Sequence, residues 1–114
     1  GWEKYTYMYR ILLVDDEILV RDAIKENIDW AGIDCELAGD CENGKQASEF
    51  VKEHPVDIVL TDILMPYMDG MELSKFLHDN YPDVVIVIFS GFSASRKVCV
   101  MAISAFDGLK SPAG

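Results

Sequence analysis

Five polar residues in this sequence follow short apolar runs, and their types could perform chemistry together. Asp15 and Asp16 follow the first run, Asp62 ends the third, Ser90 follows the fourth, and Lys110 lies near the C-terminus. If the runs are parallel strands, their carboxyl ends meet at one edge of a sheet. The sequence therefore predicts a crevice with three carboxylates, a hydroxyl and an ammonium group.

Such a set of groups favours phosphoryl chemistry assisted by a divalent cation. Neighbouring carboxylates repel each other, so one of them stays protonated unless a cation intervenes. Mg²⁺ prefers oxygen ligands and typically combines one or two carboxylates with phosphate oxygens. A carboxylate beside the ion can attack a phosphoryl group and form an aspartyl phosphate. The metal and the ammonium group would offset charge on the phosphoryl oxygens, and a hydroxyl could hydrogen-bond the product.

Each of these residues also has a purely structural interpretation. Asp15 and Asp16 could cap the helix that follows them, because aspartate favours that position. Asp62 could be an ordinary turn residue, Ser90 belongs to a Ser-Gly turn signal, and Lys110 could be a surface lysine. Their joint occurrence at the ends of alternate runs favours a functional site.

The elements that position these residues alternate between strands and helices. Strands are expected at residues 11–14, 36–41, 58–62, 84–89 and from 105; helical spacing of apolar residues occurs within 20–28, 47–51, 73–77 and 98–102. Continuous β-branched runs between helices indicate a parallel sheet covered on both faces. With right-handed crossovers, the expected fold is α/β, a doubly wound five-stranded parallel sheet.

Length and composition set limits on the function. A chain of 114 residues suits one domain, and we expect residues 1–8 to be a tag or a disordered start. The formal net charge of -10 argues against direct nucleic-acid binding, which needs a basic patch. The longest apolar run has six residues, too few to cross a membrane. Three cysteines without a CxxC pair indicate reduced, partly buried thiols in a cytoplasmic protein.

Three segments of the sequence resemble the response-regulator receiver family. They are ILLVDDE at residues 11–17, DIVLTDILMPYMDG at 57–70 and VIFSGF at 87–92. The D-x-x-M-P-x-M-D-G pattern that starts at Asp62 is highly specific, and the resemblance runs from about Tyr9 to about Phe106. It implies a flavodoxin-like fold of the receiver type and a phosphoacceptor switch rather than an enzyme.

The resemblance also implies a role for each matching position. Asp62 corresponds to the phosphorylated aspartate, and Asp15 and Asp16 correspond to the acidic pair that holds Mg²⁺, with Asp16 the more direct ligand. Leu64 matches the position whose backbone carbonyl completes the metal site. Ser90 matches the hydroxyl residue that contacts the phosphoryl group and moves on activation.

Partners follow from the same resemblance. The phosphoryl donor would be the phosphohistidine of a sensor histidine kinase. The sequences of the segments at residues 15–21, 26–30 and 90–93 resemble those of receivers joined to AraC-type helix-turn-helix output domains. DNA binding and transcription regulation would then belong to an output domain that is absent from this chain.

The C-terminal segment departs from the family pattern of an aromatic, two apolar residues and Lys-Pro. If Lys110 is the family lysine that contacts the phosphoryl group, a serine is inserted before Pro112. If Pro112 is the family proline, Ser111 occupies the lysine position and Gly108 the aromatic one. The family's last helix is also missing from residues 9–114, so we expect exposed apolar surface and self-association as a homodimer.

Three other functions remain open at this point. A phosphatase of the haloacid-dehalogenase type also uses aspartate and Mg²⁺, but its D-x-D spacing is absent after the first strand. A degenerate receiver would bind partners without being phosphorylated. The departures from the family pattern near Lys110 favour this function, and the presence of the acidic triad argues against it. A flavodoxin-like cofactor binder would need a Gly-rich phosphate loop, which does not follow the first strand.

Overall fold

Strands and helices alternate along the part of the chain that the computed structural model describes, which is residues 7–90 and 99–103, with the backbone only at Ser90 and 99–103. In chain order the elements are β1 (Tyr9–Val14), α1 (Ile18–Asn27), a 3-10 turn (Ala31–Ile33), β2 (Cys35–Cys41), α2 (Gly44–Glu53), β3 (Ile58–Asp62), α3 (Gly70–Asn80), β4 (Val85–Ser90) and β5 (Cys99–Ile103). The first four strands and three helices lie where the apolar pattern predicts them.

The strands form one sheet in the order β2-β1-β3-β4-β5. β1 pairs in parallel with both β2 and β3, and β3 pairs in parallel with β4. This order is that of the flavodoxin-like doubly wound folds, whose topological switch point lies between β1 and β3. The predicted flavodoxin-like α/β fold is therefore confirmed, and the carboxyl ends of β1 and β3 are where a ligand site is expected.

The last described strand lies where a helix was predicted. Residues 99–103 form a strand antiparallel to β4, with Ser90 opposite Cys99 and Ile86 opposite Ile103. The helix predicted within 98–102 is therefore wrong, and the fifth strand is not parallel. Only residues 91–98 separate β4 from β5, which is shorter than the dozen or so residues that a parallel crossover requires. The strand predicted from residue 105 lies outside the described residues.

Apolar side chains pack on both faces of the sheet. Leu12 and Val14 of β1 belong to a cluster with residues of α2 and α3, whereas Leu13 packs with Val20 and Ile24 of α1. Successive side chains of a strand point to opposite faces, so α1 covers one face and α2 and α3 cover the other. This explains why β1 is a continuous apolar run rather than an alternating one.

The helices on the second face begin at well-defined caps. Asn43 accepts a hydrogen bond from the backbone N–H of Gln46 at the start of α2. Asp69 accepts from the N–H of Glu72 at 2.9 Å, and the Glu72 side chain accepts from the N–H of Asp69 at 3.2 Å. This capping box fixes the start of α3 and so the far end of the loop that follows Asp62.

Two further expectations can be compared with the described residues. Cys35 and Cys41 are buried free thiols, as predicted, while the side chain of Cys99 lies outside the described part. Among the described residues, the helices are too short and too polar to cross a membrane.

Candidate cation and phosphoryl site

The three predicted acidic residues meet at the carboxyl ends of β1 and β3. One carboxylate oxygen from each of Asp15, Asp16 and Asp62 lies within 4.8 Å of the others. Asp15 is only 1% exposed, Asp62 is partly buried and Asp16 is exposed. The cluster therefore opens to solvent at Asp16 and closes against the protein at Asp15.

Backbone and side-chain hydrogen bonds fix Asp15. Its N–H donates to the carbonyl oxygen of Cys41 at 3.1 Å, which continues the pairing of β1 with β2. Its Oδ1 accepts from the N–H of Glu17 at 2.8 Å. Glu17 itself occupies the N-cap position of α1. Asp15 therefore turns the chain out of β1 and does not cap the helix, so the capping interpretation is wrong for this residue.

Asp62 is held through the backbone on both sides. The Thr61 hydroxyl donates to the carbonyl oxygen of Asp62 at 2.9 Å, and the N–H of Ile63 donates to the carbonyl oxygen of Phe89 in β4 at 3.0 Å. A long bond of 3.4 Å, from the N–H of Leu64 to Oδ1, ties the carboxylate itself to the loop. A bond of this length is weak and leaves the carboxylate able to accept bonds from a ligand.

The loop after Asp62 is packed closely against its surroundings. The N–H of Gly70 donates to the carbonyl oxygen of Ile63 at 2.8 Å, and a Cβ at Gly70 would collide with the backbone of Asp62 and Ile63. Within the loop, Tyr67 has φ of 71° and an exposed side chain. A left-handed conformation is unusual for tyrosine, and such strain persists only where the surroundings fix it.

Burial and mutual repulsion disturb the titration of the cluster. Burial is the main cause that raises the pKa of Asp15 from 3.8 to about 7, and the charges of Asp62 and Asp16 raise it further. Burial also raises the pKa of Asp62, although the N–H groups of Leu64 and Ile63 oppose this. The interaction with the nearby Asp62 carboxyl also contributes to the raised pKa of Asp15.

This donor set fits a hard divalent cation. Three carboxylate oxygens lie within reach of a single ion, and one of the acids would otherwise be held protonated near neutral pH. Carboxylate oxygens are the ligands that Mg²⁺ prefers.

The other predicted site residues are described only in part. Leu64 lies two residues beyond Asp62 with an exposed side chain. Ser90 ends β4 beside the cluster, because Asp62 pairs with its neighbour Phe89, but its side chain lies outside the described part. Lys110 lies wholly outside the described residues.

One residue that the sequence did not single out contacts the site. Nη1 of Arg21, on α1, donates to the carbonyl oxygen of Asp15 at 2.6 Å, and its Nε donates to Oδ2 of Asp40 at 2.8 Å. The side chain of Arg21 is only 13% exposed. The helical spacing placed its neighbour Val20 in the core but gave no indication of this contact.

Comparison with known proteins relates this chain to the receiver domains of response regulators. The chain matches the response regulator receiver domain family over residues 11–112. The uncharacterized transcriptional regulatory protein YesN of Bacillus subtilis is 40% identical over 85 residues, which is 75% of this chain and 23% of YesN. The receiver domain of AraT, a response regulator from Geobacillus stearothermophilus, has a TM-score of 0.70 and 33% identity over 75% of this chain and 66% of that chain. A two-component transcriptional regulator AraC from Clostridium phytofermentans has a TM-score of 0.65 and 38% identity, covering 76% and 70% of the two chains.

The fold and the acidic cluster define a doubly wound α/β domain with a candidate cation site at its switch point. The extent of the family match shows that this chain belongs to the response-regulator receiver domains, the phosphoacceptor signalling switches of two-component systems. It spans less than half the length of two curated relatives, YesN and the response regulator MprA of Mycolicibacterium vanbaalenii.

Proposed function

We propose that Asp62 is the residue of this receiver that accepts the phosphoryl group, and that Asp15, Asp16, Asp62 and the backbone carbonyl of Leu64 hold Mg²⁺. The observation that carries the proposal is the convergence of three carboxylates within 4.8 Å at the switch point. Asp62 differs from Asp15 in the way the transfer requires. Its carboxylate is only partly buried, whereas Asp15 is 1% exposed.

The reaction is a transfer between two nucleophilic atoms. An oxygen of the Asp62 carboxylate forms a bond to phosphorus while the bond between phosphorus and the donor atom breaks. When bound, the cation supplies positive charge that offsets the carboxylates and the phosphoryl oxygens. The backbone bonds on both sides of Asp62 hold the carboxylate in place during the attack. Ser90 and Lys110 are the proposed contacts to the phosphoryl group after transfer.

The partners follow from this role. The phosphoryl donor would be the phosphohistidine of a sensor kinase. The output would be a DNA-binding transcription regulator of the AraC type, joined to this domain in a longer protein. Support comes from YesN, named a transcriptional regulatory protein, and from the two-component transcriptional regulator AraC, which are 40% and 38% identical to the chain.

The test is phosphorylation by a small donor. The protein is incubated with acetyl phosphate and MgCl₂, and its intact mass is measured with time. We expect the mass to rise by one phosphoryl group, and Asp62→Asn to abolish the adduct. Asp69→Asn is the matched control, because asparagine caps a helix as well as aspartate does and α3 should still begin normally.

Three results would contradict the proposal. An adduct of equal yield on Asp62→Asn would place the phosphoryl group elsewhere, and no adduct on either protein would indicate a degenerate receiver. Steady release of phosphate from a phosphomonoester would instead favour a phosphatase.

A further inference from the structure

We propose that Arg21 is a positioning residue for the acidic cluster. Its guanidinium group fixes the peptide bond between Asp15 and Asp16, and so holds both carboxylates toward Asp62. The inference rests on the proposed function, because it concerns how the cation ligands are oriented.

The geometry joins three elements at one point. Arg21 lies in α1, its Nη1 donates to the carbonyl oxygen of Asp15 at the end of β1, and its Nε donates to Asp40 in β2. A charged guanidinium with 13% exposure donates stronger hydrogen bonds than a solvated one. Asp40 also accepts from Nζ of Lys25 at 3.4 Å, so the anchor in β2 has two cationic partners on α1.

The carbonyl that Arg21 contacts belongs to the peptide unit linking Asp15 to Asp16. A peptide unit is planar, so fixing its oxygen fixes the plane from which Asp16 departs. The N–H of Asp15 is already bonded to Cys41, and its Oδ1 to Glu17. For Asp16, which is exposed, the structure gives no hydrogen bond of its own side chain within the described residues.

Repulsion among the three carboxylates is the force that this anchor would oppose. Three carboxylates within 4.8 Å favour a conformation in which the exposed one turns toward solvent. The Asp16 side chain can turn about its own Cα–Cβ bond, but a rotation of the preceding peptide unit would redirect that bond away from Asp62 and break the hydrogen bond to Arg21. The arginine therefore opposes the movement that would open the site when no cation is bound.

The chain contains a matched control at the opposite end of β1. Arg10 donates through Nε to the carbonyl oxygen of Pro55 at 2.9 Å and through Nη1 to Glu36 at 2.9 Å. It thus bonds one backbone carbonyl and one carboxylate, as Arg21 does, but it lies at the start of β1 rather than its end.

The test compares Arg21→Met with Arg10→Met in a titration with MgCl₂, followed by the amide chemical shifts of residues 15–17 and 62–64. A positioning role predicts that Arg21→Met weakens Mg²⁺ binding by about tenfold, the loss typical of residues that orient metal ligands. A purely electrostatic role predicts the opposite sign, because removing a positive charge near a cation site strengthens binding. Arg10→Met should leave the affinity unchanged.

A second readout does not depend on the metal. In metal-free buffer, the amide hydrogen of Glu17, which bonds to Asp15, should exchange faster in Arg21→Met and at the normal rate in Arg10→Met. If Arg21→Met does not fold, Arg21→Lys takes its place, because lysine keeps the charge but cannot donate in the same fork to both acceptors.

Unchanged or tighter Mg²⁺ binding in the Arg21 variant overturns the inference, and so does an equal loss in the Arg10 variant. Failure of the proposed function looks different. In that case the wild-type chain itself shows no saturable response to MgCl₂ at residues 15–17 and 62–64.

Discussion

Removing the charge of Asp15 should stabilise the metal-free protein at alkaline pH. Burial raises the pKa of this carboxyl from 3.8 to about 7, so its charged form is disfavoured in the folded state. Asp15→Asn removes the charge and keeps an Oδ1 atom that can accept from the N–H of Glu17. The variant therefore isolates the electrostatic cost of the cluster from its hydrogen bonding.

The size of the effect follows from the pKa and its sign. Because the folded pKa lies above the unfolded one, stability due to protonated Asp15 is complete below pH 3.8 and is lost as the pH rises through about 7. At about 1.36 kcal/mol per pH unit, the wild type loses at most about 2.7 kcal/mol between about pH 5 and about pH 7. Because Asp15 and Asp62 lie close together and titrate as interacting sites, we expect roughly 1–2 kcal/mol.

The assay is urea unfolding in EDTA at about pH 5 and about pH 8, on wild type, Asp15→Asn and a control at an exposed aspartate, Asp83→Asn. The free energy of unfolding of Asp15→Asn should exceed that of wild type by more at the higher pH, while Asp83→Asn should follow wild type. Saturating Mg²⁺ should reverse the order, because only the wild type has the full ligand set. An Asp15→Asn advantage that does not grow with pH would show that the charge of Asp15 does not destabilise the folded protein.

Three further predictions concern the packing around the site. Gly70→Ala should lower the free energy of unfolding by about 2 kcal/mol in urea, because its Cβ would meet the carbonyl oxygen of Asp62 and lie 2.9 Å from Cα of Ile63; unchanged stability would contradict this. Ser74→Ala should keep stability or raise it by up to about 1 kcal/mol, because the buried hydroxyl has no partner among the described residues. A loss of stability in the same assay would indicate a missed partner. Burial raises the pKa of Cys41 to about 11, so iodoacetamide should label this thiol at least about tenfold more slowly in the folded protein than in urea, as measured by peptide mass spectrometry; equal rates would contradict the burial.

The candidate site could be predicted from sequence because parallel strands bring their carboxyl ends together. Asp15 and Asp62 each directly follow or end a buried run, and β1 and β3 are neighbours in the sheet although α1, β2 and α2 separate them in sequence. The burial of those runs is encoded locally, by continuous β-branched and aliphatic residues.

The conformation and direction of β5 could not be predicted from the sequence in the same way. Val98, Met101 and Ala102 have helical spacing, yet residues 99–103 form a strand. Three apolar residues are a weak periodic signal, and Cys99–Ile103 is short enough for pairing with β4 to decide its conformation. Strand direction depends on the length of the connection, which periodicity does not report.

The contact between Arg21 and the carbonyl oxygen of Asp15 also could not be predicted from the sequence. An arginine beside Val20 on an amphipathic helix is usually solvated, and its two acceptors lie at the ends of different strands. Only the parallel pairing of β1 with β2 brings Asp40 and the carbonyl of Asp15 within reach of one guanidinium group.

The most direct test of the central claim is to locate the phosphoryl group on the chain. After incubation with acetyl phosphate and MgCl₂, the protein is reduced with borohydride, which converts an aspartyl phosphate into homoserine, and is then analysed by tandem mass spectrometry. We expect homoserine at position 62 in the wild type, and none at positions 15 or 16. Homoserine at another aspartate, or at no position while a known receiver treated in parallel is labelled, would contradict it.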